Sequence, residues 1–140
     1  VNSACLDPGT LFEHSFFVEA MKRGLVPFLP MQPRRPQDCI IMNQAGKMYK
    51  VQIKGTHTTV IESSGAKRFK IQPVQGSVHK TPLDCTKVDI LVAYVEPEDA
   101  YYIIPCMEIE NVKGIWLYSH NPKSKAKFEK YRDRWDLFRS

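Results

Sequence analysis

The chain is 140 residues long, 43% hydrophobic and 25% charged. That is the balance of one globular domain with its own core, not of a disordered or membrane-embedded polypeptide. Its apolar runs fall short of the ~18 residues that a bilayer span needs, and a net charge of +5 favours a polyanionic partner.

Val1-Asn2-Ser3-Ala4-Cys5 has neither the charged start nor the apolar stretch of a secretory signal. Cys5, Cys39, Cys85 and Cys106 lie far apart without a Cys-x-x-Cys pair. This argues against a zinc site or a disulfide framework and for reduced thiols in a cytoplasmic protein.

Asp7-Pro8-Gly9-Thr10 opens a helix, with Asp7 or Thr10 as cap, Pro8 in the first turn and Thr10-x-x-Glu13 at capping-box spacing. The helix is expected to run to about Arg23 and stop at Gly24, with Leu11, Phe12, Phe16, Val18 and Ala20 forming a wide apolar side that packs on a sheet. Residues 25–28 read as a short strand. Pro27, Pro30, Pro33 and Pro36 hold 30–37 extended. Strand-like residues then flank Asn43-Gln44-Ala45-Gly46-Lys47, the signature of a β-hairpin. In its second strand apolar Tyr49, Val51 and Ile53 alternate with Lys50, Gln52 and Lys54, as in a strand with one buried face.

Residues 58–62 and 68–72 flank Ser63-Ser64-Gly65-Ala66-Lys67, a second hairpin. A polar loop, 73–80, leads to Thr81-Pro82-Leu83-Asp84, which reads as a short helical turn. The strongest strands are 88–95 and 101–104, joined by Glu96-Pro97-Glu98-Asp99. After Pro122, Phe128, Tyr131, Trp135 and Phe138 form one apolar stripe, which predicts a final helix over 124–138. The whole is a single α/β domain, a mixed and mostly antiparallel sheet with a helix at each end.

Folding the first hairpin about its turn pairs residues whose numbers sum to about 90. Asp38 then lies opposite Gln52, while Gln52 and Lys54 share a face of their strand. An acid, an amide oxygen and an ammonium converge at one end of the sheet. Arg34, Arg35, Lys67, Arg68, Lys70, His79 and Lys80 lie on loops or hairpins near that point and suit the tracking of a nucleic-acid backbone, where each phosphate contact adds salt-dependent affinity. His14 and His57 read as surface or hydrogen-bonding residues, and Asp89 as structural.

A helix with Glu13, then Asp38, then Gln52-x-Lys54 resembles the PD-(D/E)XK nuclease superfamily, over roughly residues 9–105, and in particular its small phage, intron-encoded and resolvase-like members. The resemblance implies a restriction-endonuclease-like domain spanning residues 1–140 and a catalytic set of Asp38, Gln52, Lys54 and Glu13. It implies Mg²⁺, with Mn²⁺ able to substitute, held by Asp38, the Gln52 side-chain carbonyl, the Ile53 backbone carbonyl and, through water, Glu13. Lys54 would orient the attacking water and offset charge growing on the phosphate. The superfamily more often has Glu or Asp at the position of Gln52, so this site carries one negative charge fewer.

The expected function is a metal-dependent, site-specific (homing-like) DNA endonuclease, cytoplasmic and prokaryotic or phage-associated, acting on double-stranded DNA without a membrane partner. Because one centre cuts one strand, a homodimer or tetramer is expected. Three other readings stay open. They are a Holliday-junction resolvase, a nucleic-acid-binding module with a weakened site, and an unrelated α/β domain or small-molecule enzyme in which Glu13 only caps the helix and Gln52 and Lys54 are merely solvated.

Overall fold

The computed structural model describes residues 7–76 and 79–139. Among the described residues the one α-helix, α1 (Pro8–Lys22), starts where the sequence places it. Asp7 is the cap: its carboxylate accepts the Thr10 backbone N–H, so Glu13 is not needed for a capping box. Phe12, Phe16, Phe17 and Ala20 are buried, while Leu11 and Val18, expected on the packed side, are about half exposed.

The main sheet has five strands in the order β1 (Val26–Phe28), β2 (Cys39–Met42), β3 (Met48–Thr56), β8 (Ile90–Val95), β9 (Ala100–Pro105). Only the β3–β8 pair is parallel; the rest are antiparallel. The β2–β3 register pairs Cys39 with Val51 and Met42 with Met48, as the turn predicts. Gly46 makes that turn possible with a φ of 87°, and the Asn43 side chain closes it, accepting from Ala45 and Lys47 while donating to the Phe138 carbonyl.

A second, three-stranded sheet, ordered β10 (Ile115–Leu117), β5 (Lys67–Ile71), β4 (Val60–Ile61), covers the other face of the main sheet. Two cores result. One lies under α1 and includes Phe16, Ile53, Val92 and Trp135; the other lies between the sheets and includes Phe69, Leu91, Tyr102 and Leu117. β8 is buried along its whole length, which is why it reads as an unbroken apolar run. β3 departs from the expected one-sided burial. Gln52 is buried along with its apolar neighbours, because chain from the second layer covers the face that alternation leaves to solvent.

The expected C-terminal helix over 124–138 is absent. The chain forms two short 3₁₀ turns there, Glu129–Tyr131 and Trp135–Arg139. Between them Arg132 bridges to Tyr102, and Asp133, at a φ of 54°, donates its N–H to the Tyr101 carbonyl. The apolar stripe serves two cores, not one: Phe128 and Tyr131 enter the inter-sheet core, Trp135 and Phe138 the core under α1. A straight helix could not reach both.

Thr81-Pro82, expected to start a helical turn, is strand β7 (Thr81–Pro82) and pairs with β6 (Val74–Gln75) inside the stretch expected as a loop. The turn comes later, where Lys87 and Val88 donate to the Asp84 carbonyl. Cys85 and Cys106, expected as separate thiols, form a disulfide, since the 84–87 turn lies against the end of β9 with a Cα–Cα distance of 5.6 Å. Cys39 is free and buried, and Cys5 lies outside the described residues. Among the described residues no helix is long and apolar enough to cross a membrane.

Candidate active site

The β2–β3 hairpin positions the first three residues. The Asp38 backbone N–H donates to the Val51 carbonyl at 2.8 Å, extending the β2–β3 ladder by one residue beyond Cys39. The Asp38 carboxylate accepts the Ile53 N–H at 2.7 Å, so one of its oxygens is tied to β3 between Gln52 and Lys54. Alternation along the strands explains the grouping: Cys39, Ile41, Val51 and Ile53 fill the core under α1, which turns Gln52 and Lys54 to the opposite face, above Leu91 and Ala93.

Helix α1 brings Glu13. Its half-buried carboxyl lies within electrostatic reach of Asp38. Burial first, and then the Asp38 charge, push the Glu13 pKa above the ordinary carboxylate value. Asp38 is raised as well. Burial dominates there, opposed by the Ile53 N–H and by Lys54. Burial lowers the Lys54 ammonium, which Asp38 supports and Lys80 opposes. The thiol of Cys39 is pushed far up by burial and by both carboxylates, so it stays a protonated core residue.

Gln52 supplies the most specific observation. Its Oε1 is shielded from solvent and has no hydrogen-bond partner, although such an acceptor ordinarily finds one. Among the described residues no three His, Cys, Asp or Glu side chains gather into a cluster able to hold a metal ion. The oxygen donors on offer are therefore two carboxylates, a neutral amide and main chain. That set suits a hard divalent cation such as Mg²⁺, which takes few protein carboxylates and keeps several waters.

A cleft of about 870 Å³ opens beside these groups, lined by Arg34, Arg35, Gln52, Lys54, Gln75 and Lys87 among others. A second hollow of about 420 Å³ shares Lys54 and adds Lys70, Gln72 and Lys80. No acid lines either; Asp38 and Glu13 are half-buried and lie off these walls. Lys67 and His79 are exposed, and Arg68 is paired with Glu62 at 3.6 Å. Lys87 escaped the sequence reading, since only the pairing of β3 with β8 brings it to the cleft. The His14 ring donates from Nδ1 to the Thr10 carbonyl of its own helix at 2.8 Å and is taken up locally. Asp89 accepts the Lys50 N–H and is structural, as expected.

A five-stranded mixed sheet with a helix on one face, and an acid, an amide and a lysine on adjacent strands, defines a nuclease-like α/β architecture. The chain belongs to the PD-(D/E)XK endonuclease family, which it matches over residues 7–138. Its fold is similar to that of a bacterial homing endonuclease, I-Ssp6803I, with a TM-score of 0.71 at 21% identity over 92% of this chain and 88% of that one. No curated protein matches it in sequence.

Proposed function

We propose that this endonuclease hydrolyses phosphodiester bonds of double-stranded DNA with Mg²⁺, Mn²⁺ being able to substitute, and that it cuts at specific sites in the manner of a homing enzyme. The observation that carries the reading is the unpartnered Gln52 Oε1 on the strand next to Asp38. A buried acceptor without a donor is costly unless something positive completes it. Family membership and the cation-lined cleft beside it support the same reading.

Asp38 and Gln52 would hold the ion together with the Ile53 carbonyl. Bound there, a divalent cation supplies charge that polarises the phosphate and makes water a better nucleophile near neutral pH. Lys54 donates to the phosphate and offsets the charge that grows on it. Glu13 holds water from the helix side, and its raised pKa suits it to accept a proton. Arg34, Arg35, Lys70, Lys80 and Lys87 bind flanking phosphates, and Lys67 and His79 extend that path. Because one such centre cuts one strand, the working enzyme is a homodimer or tetramer.

The test is purified protein with plasmid, linear and four-way-junction DNA in Mg²⁺, Mn²⁺ or EDTA. Discrete double-strand products with either metal and none in EDTA are expected. Products that persist in EDTA, or none on any substrate, would overturn the reading. Metal-independent binding without cleavage would favour a binding module, the reading to which the neutral Gln52 lends weight.

A further inference from the structure

The outer face of the second sheet gathers an arginine and a lysine around a tryptophan. Along β5, Phe69 and Ile71 point into the core, which leaves Arg68 and Lys70 on the outside. β10 pairs Trp116 with Lys70, while Ile115 and Leu117 point inward. The Arg68 guanidinium lies 3.9 Å from the centroid of the Trp116 ring, and the Lys70 ammonium 5.8 Å from it.

The Arg68 guanidinium is therefore held over an indole. Its Nε is shielded and has no hydrogen-bond partner, and the ion pair with Glu62 at 3.6 Å is longer than a hydrogen bond. The guanidinium is positioned between Trp116 and Glu62, yet its Nε makes no hydrogen bond within the protein. A guanidinium held over an indole loses less side-chain freedom when its remaining N–H groups meet a pair of acceptors, which suits it to reading a base edge as well as to meeting a phosphate. Lys70 belongs both to this face and to the hollow that contains Lys54, so the face is continuous with the proposed catalytic cleft.

We propose that Trp116 presents Arg68 as a base-reading residue, its fork directed at O6 and N7 of a guanine in the major groove. The groove is wide enough to admit a two-stranded ribbon such as β4–β5. The assignment rests on the nuclease reading above and adds the chemistry of specificity to it.

A randomised duplex-DNA library, selected for binding in EDTA, tests this with wild type, Arg68→Lys and Trp116→Leu. Wild type should enrich guanine at one or more fixed positions. Arg68→Lys keeps the charge and loses the fork, and should flatten that preference roughly 10- to 100-fold while leaving affinity for other sequences nearly unchanged. Trp116→Leu should give an intermediate loss. Replacing the selected guanine with 7-deazaguanine alters only the DNA, and should weaken wild type several-fold but not Arg68→Lys.

A guanine preference that survives Arg68→Lys, or an equal loss on every sequence, overturns the assignment. Wild type that cleaves DNA with Mg²⁺ but selects no guanine overturns it while sparing the nuclease reading. No binding and no cleavage of any DNA overturns both.

Discussion

The ring of Phe12 occupies the space that a Cβ on Gly55 would need, so helix α1 lies directly against β3 one residue beyond Lys54. Glu13 follows Phe12 in the helix, and this close approach is what carries its carboxyl into the field of Asp38. Gly55→Ala should cost about 1–3 kcal/mol, the usual range for overpacking. It should also reduce cleavage by more than the unfolded fraction accounts for, because the helix is displaced. Denaturant unfolding and activity measured well inside the folded range check both parts; a variant as stable as wild type would show that the helix has room to spare.

Asp38→Asn should abolish cleavage and, in metal-free protein near neutral pH, raise the melting temperature. Burial is the chief reason its carboxyl is held above the ordinary value, and a neutral amide relieves that cost while still accepting the Ile53 N–H. Addition of Mg²⁺ should stabilise wild type and leave Asp38→Asn unmoved, which thermal melting with and without EDTA resolves. An equal metal shift in both proteins would place the ion elsewhere.

Gln52→Glu restores the charge more usual in the family. Expected are tighter Mg²⁺ binding, by about tenfold, since affinity follows ligand charge, and lower stability without metal, because a buried carboxylate replaces an amide. Calorimetric titration reports the first and melting the second. Unchanged metal affinity would remove Gln52 from the ligand set.

Lys54→Ala should lower cleavage by about 10²–10³-fold, the scale for losing one group that stabilises developing charge. DNA affinity in EDTA should change only a few-fold, since Arg34, Arg35 and Lys87 remain in the cleft. Parallel loss of binding and cleavage would make Lys54 a simple phosphate contact.

Asp84 tests how the cleft is held from behind. Its carboxylate accepts the Thr86 hydroxyl and N–H, which hold its pKa below the ordinary 3.8. That turn sets the Lys87 carbonyl, which accepts from Gln37, the neighbour of Asp38. A carboxylate with a lowered folded-state pKa adds stability above its unfolded value and loses it as pH falls through the folded one. The stability gap between wild type and Asp84→Ala should therefore be present at pH 5–7 and close below pH 3.8. A gap that persists in stronger acid would assign the effect to packing.

Much was readable in the chain itself. Period-two alternation and the Asn43–Lys47 turn gave the β2–β3 register, and with it Asp38 opposite Gln52, because a one-residue slip would expose Tyr49, Val51 and Ile53. The Asp7-Pro8 start located the helix. The C-terminal stripe misled, since periodicity records that residues are buried and not in which core. Trp116, Lys87 and the Cys85–Cys106 pairing gave no local signal; each depends on strands far apart in sequence.

Local pattern determined the strands, the turn and the residues that share a face, because side-chain direction follows from backbone geometry over a few residues. Only the tertiary structure decided that Gln52 is buried with its oxygen unpartnered, that Glu13 lies near Asp38, and that Arg68 rests on Trp116. Those facts arise from layers packing together, and the free energy of packing belongs to contacts that no single segment contains.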